Sequence, residues 1–338
     1  MTDTEKTKKM IPCTILTGFL GAGKTTILNR ILNEPHGYKI AVIENEFGEE
    51  NIDGEILLHS RAEEFVEMNN GCLCCSTRGD LIDALTKLAK RRDINSLDRV
   101  VIETTGLADP GPIIHTFFVE DSVAENFIID GIVTVVDSVY GMKQLDTTEE
   151  ARRQIGFADK LILTKTDLAT KEQVQDLRDR LIGINLRAPI ITADLGKVAL
   201  EEIFDINGFH LNDKLDFHTD SHDDTCTCSH CSRHVHSHHT EDVSTFSFTS
   251  NRPFYPELFE DFLATIVDLY GNQMFRYKGI LYFNNVEHKI IFQGVHQLIG
   301  SDKGSLWSPN EEKKSKIVFI GKNLPKTIFL EGLTHCLL

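Results

Sequence analysis

Along the first two-thirds of the chain, short runs of Val, Ile, Leu and Thr alternate with longer segments whose apolar residues recur at helical spacing. The runs at 13–17, 40–43, 100–103, 131–136, 160–164 and 190–192 have the length and β-branched content of buried strands. Between them, Leu81, Ile82, Leu85, Leu88 and Ala89 mark one face of a helix, and residues 25–32 read as another. Strands and helices in turn predict an α/β domain with a mostly parallel sheet covered on both faces. The character changes near Phe209. Residues 210–243 hold few large apolar side chains and many His, Asp, Ser and Thr, too little apolar surface to offset the entropy of ordering, and predict a mobile linker. Beyond it, 245–249, 277–283, 289–295 and 316–320 read as strands and 256–270 as a helix ended by Gly271, which suggests a small α+β domain with mostly antiparallel pairing. The division expected is 1–208, 209–243 and 244–338.

Composition narrows the partners. The 338 residues carry a formal net charge of −16, which argues against nucleic acid, whose phosphates need a basic face. No apolar run reaches the ~20 residues that span a bilayer. Lys6, Lys8 and Lys9 precede an apolar stretch in the manner of a signal peptide, but that stretch runs directly into a glycine-rich loop and reads as the first strand of a cytoplasmic protein. Eight cysteines in such a chain point to metal or redox chemistry rather than structural disulfides.

The glycine-rich loop is the sharpest signal. Gly18 to Thr25 matches G-x-x-x-x-G-K-[ST], between an apolar run and a helix-like segment. Gly18, Gly21, Ala22 and Gly23 can turn backbone N–H groups toward a polyphosphate at a helix start. Lys24 can neutralise the β- and γ-phosphates, and Thr25, followed by Thr26, can hold Mg²⁺. The apolar run at 100–103 ends in Glu103, placed as a second Mg²⁺ group, and the Gly106 N–H three residues on can sense the γ-phosphate. Thr164-Lys165-Thr166-Asp167 stands where GTPases read guanine through Asn-Lys-x-Asp: Asp167 can accept from the guanine edge and Lys165 can lie over the purine. Thr164 replaces the usual Asn. GTP is favoured over ATP.

Cys72, Cys74 and Cys75 precede a helix that starts near Asp80, with Arg78 close by, conditions that lower thiol pKa and supply thiolate for Zn²⁺. A redox pair and inert buried thiols are the competing readings.

The chain resembles the CobW-type metal-binding GTPases, and within them the YjiA-like zinc-binding GTPases. The resemblance rests on residues 17–26, 43–49, 71–75, 103–110 and 164–167, and on 276–279 and 292–295 in the second domain. It covers nearly the whole chain outside the His-rich segment, and Thr164 is a variant found among YjiA-like members. It implies a P-loop NTPase domain followed by a CobW-type C-terminal domain, GTP hydrolysis, and zinc ligation by Glu44, Glu49 and Cys74. Three cysteines so close in sequence do not easily share one tetrahedral ion, so carboxylates after the second strand, Glu46 among them, suit the site chemically. The implied function is a zinc metallochaperone that delivers the ion to a client metalloprotein. A metal reservoir or sensor without delivery, and a cobalt-handling factor for cobalamin synthesis, are the alternatives. A homo-oligomer is left open. Cys226, Cys228, Cys231 and the histidines from His230 to His239 read as a low-specificity metal collector, against a plain soluble linker.

Overall fold

The computed structural model describes residues 10–44, 64–67, 78–90, 97–209, 242–308 and 311–338. Its first unit is built on a seven-stranded sheet in the order β3-β2-β4-β1-β5-β6-β7, every pair parallel. The strands are β1 (Ile11–Gly18), β2 (Ile40–Glu44), β3 (Glu64–Glu67), β4 (Arg99–Glu103), β5 (Phe127–Asp137), β6 (Lys160–Thr164) and β7 (Ile190–Thr192). The central strands are apolar on both faces because helices cover both. On one side α1 (Lys24–Asn33) buries Ile27, Leu28, Ile31 and Leu32 against Leu16, Val101, Val133 and Phe204. On the other, α2 (Arg78–Ala89), α3 (Pro110–Val119), α5 (Gly141–Thr147), α6 (Glu149–Phe157) and α7 (Lys171–Ile184) close the larger core, with the short α4 (Asp121–Ala124) beside α3. α7 begins with a reciprocal cap in which Thr170 accepts from the Gln173 N–H and the Gln173 side chain accepts from the Thr170 N–H.

The chain leaves β1 for one side of the sheet and later returns to the other, so the crevice beyond the carboxyl end of β1 is a topological switch point, where open α/β sheets bind ligands.

The second unit is a five-stranded antiparallel sheet, β11-β10-β9-β12-β8. Its strands are β8 (Val243–Ser250), β9 (Met274–Leu281), β10 (His288–Val295), β11 (Leu298–Leu306) and β12 (Ser315–Lys322). One face packs on α8 (Pro256–Tyr270) and α9 (Lys326–His335) through Phe259, Leu263, Phe329 and Leu333. The other meets the first unit, and the larger core runs across the join: Val243, Phe275 and Val295 belong to it together with Phe157 and Phe209. Phe209 and Val243, assigned to the linker from sequence, are therefore anchored in packed structure, and the described residues stop at the first and resume just before the second.

Polar groups cross the join as well. Arg276 pairs with Asp159 at 2.5 Å, the two side chains 3% and 7% exposed. Arg276 also donates to the carbonyls of Phe157 and Gly208, and its guanidinium lies over the Phe209 ring at 4.3 Å. Burial, reinforced by Arg187 and Arg276, pushes the nearby Lys278 ammonium down to about 8. Below that value Lys278 carries its charge in both folded and unfolded chains. As pH rises from about 8 toward the unfolded value of 10.5, the unfolded chain holds the extra proton and stability rises. Wild type should therefore gain stability relative to Lys278→Met over that window in urea melts; a constant difference would show that the ammonium is not desolvated. Among the described residues, no helix is long and apolar enough to cross a membrane.

Candidate functional site

The turn after β1 is shaped by residues without side chains. Gly21 and Gly23 have φ of 74° and 98°, a region that a Cβ disfavours. Gly23 is the N-cap of α1 in the left-handed conformation, and no side chain caps that helix. Its first N–H groups and the positive end of its dipole thus face the crevice. Lys24 folds back along the loop, 8% exposed, and its ammonium donates to Gly18 O at 2.8 Å and Phe19 O at 3.3 Å. Burial pushes its pKa below the usual lysine value, while Glu103 pulls it up.

Glu103 closes β4, in register with Leu16 of β1. Its carboxylate accepts from the Thr25 hydroxyl at 2.7 Å. A hydroxyl and a carboxylate oxygen brought together in this way form the hard-oxygen donor set that Mg²⁺ takes. The segment after Glu103 is tied down by Thr104, whose N–H reaches Leu16 O and whose hydroxyl reaches Thr17 Oγ1 at 2.8 Å. Gly106 then passes directly over the glycine-rich loop. A Cβ there would lie 2.6 Å from the Leu20 backbone N and 2.7 Å from its Cα, so only glycine fits.

Thr164 is the last residue of β6. Its hydroxyl, 5% exposed, donates toward Ala22 O at 2.7 Å and Val136 O at 3.2 Å, so it clips β6 to the glycine-rich loop. Lys165, with φ of 55°, bonds Gly21 O at 2.8 Å and pairs with Asp137 at 2.6 Å. Its side chain therefore reaches from the end of β6 to the glycine-rich loop and the end of β5, while Asp167, two residues on, is exposed. The structure also gathers a segment that the sequence reading passed over. The turn after β7 brings Gly196 against Thr26 and the Leu195 carbonyl within 3.2 Å of Arg30 on α1. An Asp-Leu-Gly beginning two residues after the end of β7 was the available signal.

Of the residues assigned to metal, Glu44 ends β2, where its Cα is in register with Glu103 on one side and Glu67 on the other. Glu49, Cys72, Cys74 and Cys75 lie outside the described residues, as do Glu46 and the His- and Cys-rich stretch. Among the described residues, no group of three or more His, Cys, Asp and Glu could hold a metal ion.

Comparison with known proteins gives a consistent result over the same span. A family model described as CobW/HypB/UreG, nucleotide-binding domain, matches residues 12–192, and one described as the cobalamin synthesis protein cobW C-terminal domain matches residues 243–337. The chain is 39% identical over 325 residues to the zinc chaperone YjiA of Escherichia coli (strain K12), covering 94% of this chain and 95% of that protein. It is 33% identical over 363 residues to the zinc-regulated GTPase metalloprotein activator 1 of Schizosaccharomyces pombe, covering 96% and 85%. The crystal structure of Zn(II)-bound YjiA GTPase from E. coli is similar with a TM-score of 0.76 at 33% identity, covering 97% of this chain and 99% of that one.

Proposed function

The chain belongs to the CobW/HypB/UreG family of nucleotide-binding proteins, and on that premise we propose that it is a GTPase of the cytoplasm that binds zinc and hands it to a client metalloprotein. Gly18, Gly21, Ala22, Gly23 and Thr26 line the polyphosphate path with backbone N–H groups, and Lys24 neutralises the β- and γ-phosphates. Thr25 and Glu103 would hold Mg²⁺, which when bound offsets the charge developing on the phosphate oxygens. Gly106 reads the γ-phosphate through its N–H. Thr164 and Lys165 set the base-binding strand against the loop, and Asp167 accepts from the guanine edge.

Zinc is the cargo, with its ligands drawn from Glu44, Glu49, Cys72, Cys74 and Cys75 and with Glu44, Glu49 and Cys74 at the centre of the set, a mixture of carboxylate and thiolate suited to that ion. The observation that carries the coupled reading is the register of Glu44 with Glu103. Paired strands run ~4.8 Å apart, so the segment proposed to hold zinc starts one strand away from the carboxylate proposed to hold Mg²⁺. Loss of the γ-phosphate then reaches the zinc ligands through adjoining strand ends and changes the affinity for the ion.

The test is zinc affinity by competition with a chelating dye, measured with a non-hydrolysable GTP analogue and with GDP. The two affinities should differ by about tenfold or more, a coupling of about 1.4 kcal/mol. Cys74→Ala should weaken zinc binding and leave GTP hydrolysis without zinc unchanged. Equal affinities in the two nucleotide states would remove the coupling.

A further inference from the structure

Helix α6 is pressed between the Gly106 segment and the second sheet, and it contacts both through neighbouring residues. Gln154, 1% exposed, donates both amide hydrogens into that segment: to Gly106 O at 3.2 Å and to Ala108 O at 3.0 Å. Its own carbonyl accepts from Thr134 on β5 at 2.8 Å, which fixes the helix to the sheet at that point. The preceding residue, Arg153, pairs with Asp109 at 2.6 Å, and Asp109 also accepts from the Gly111 N–H as the N-cap of α3. The stretch from Gly106 to Asp109 is therefore held from one side by two consecutive residues of α6.

The other side of α6 belongs to the second unit. Phe157 stacks on Phe275 with ring centroids 5.2 Å apart, Arg153 lies 5.4 Å over the same Phe275 ring, and Glu149 pairs with Lys322 of β12 at 2.7 Å.

Resting on the reading of the chain as a GTPase, we infer that Gln154 is a positioning residue for GTP hydrolysis, holding the Gly106 segment in register with the glycine-rich loop from a helix braced by the C-terminal domain. The amide makes no contact with the crevice itself. Its leverage comes from peptide geometry. The Gly106 carbonyl shares its peptide plane with the Leu107 N–H, so holding that carbonyl toward α6 fixes ψ of Gly106 and with it the direction in which Gly106 presents its own N–H. Gly106 already touches the Leu20 backbone at the distance only glycine allows, so a small rotation there displaces the γ-phosphate sensor. Without the amide, two buried carbonyls lose their donor and the segment relaxes to satisfy them.

Steady-state GTP hydrolysis by the full chain tests this with Gln154→Leu and Gln154→Glu. The Leu variant should lose about tenfold to about a hundredfold in kcat, while KM for GTP and affinity for GDP stay within about threefold, because the nucleotide contacts are untouched. The Glu variant presents oxygen to both carbonyls when ionised and donates one hydrogen bond when protonated. Its kcat relative to wild type should therefore fall as pH rises from about 6 to about 8. A Leu variant with kcat within about twofold of wild type, or one that loses kcat and GDP affinity by the same factor, would overturn the assignment. Should the Leu variant not fold, a Glu variant whose ratio to wild type is flat with pH overturns it equally. Turnover by the wild-type chain is a separate readout: its absence removes the GTPase reading itself, whereas normal turnover in wild type and both variants removes only the role of Gln154.

Discussion

Lys24→Met should cut kcat/KM for GTP by about a hundredfold to a thousandfold, the usual cost of removing one preorganised charged donor from developing negative charge. The native ammonium is well placed for such an effect. It is almost fully buried, held by Gly18 O and Phe19 O, and close enough to Glu103 for that carboxylate to support its charge. A charge in that setting is poorly solvated and gains strongly when a phosphate oxygen arrives. Methionine keeps the length and apolar body but removes the charge. The cost to folding should be only about 1 kcal/mol, since the lost partners are two carbonyls of the same loop. Initial rates over a range of GTP concentrations, with thermal melts alongside, check both statements. A variant within tenfold of wild type in kcat/KM would take Lys24 out of the phosphate site.

Asp159→Ala should destabilise the chain by about 3–5 kcal/mol, the range for removing one partner of a buried ion pair. Asp159 is paired with Arg276, accepts from the Ile132 N–H at 3.0 Å, and moderates the desolvated Lys278 and Arg187 nearby. Burial, with repulsion from Arg276, already pushes Arg187 down to about 10. Removing the carboxylate leaves several cations facing one another away from water. The double variant Asp159→Ala, Arg276→Met should be more stable than Asp159→Ala alone, because it also removes the orphaned charge. Urea unfolding of the four members of the cycle measures the coupling. Strict additivity would show that the pair contributes nothing beyond its separate packing.

How much of this was legible in the sequence differs from element to element. β1, β2, β4, β5 and β6 were visible because strands buried on both faces must be continuously apolar, and the half-buried edge strand β7 through its Ile-Ile-Thr run. β3 was not, since Glu-Phe-Val-Glu is too short and too charged to stand out. β11 escaped because it is an edge strand with a mostly exposed Ser-Asp-Lys-Gly-Ser centre, and so carries little apolar alternation. The glycine-rich loop and Glu103 could be found because their chemistry depends on local spacing, which a motif records. Gln154 could not. Its partners lie 48 and 46 residues away, and nothing in the surrounding Arg-Arg-Gln-Ile-Gly-Phe distinguishes a buried amide from a solvated one. Thr164 is intermediate: the departure from Asn was evident, but its meaning needed the Ala22 carbonyl to be placed beside it.

That clip has a further consequence. Thr164 and Lys165 fasten the end of β6 to successive residues of the glycine-rich loop. The distance between a pocket for a base and a cradle for its phosphates is then set while the chain folds. A ligand of the right span meets two halves already aligned, and little freedom is left to surrender on capture. A free base or a bare pyrophosphate would engage only one end of this gauge.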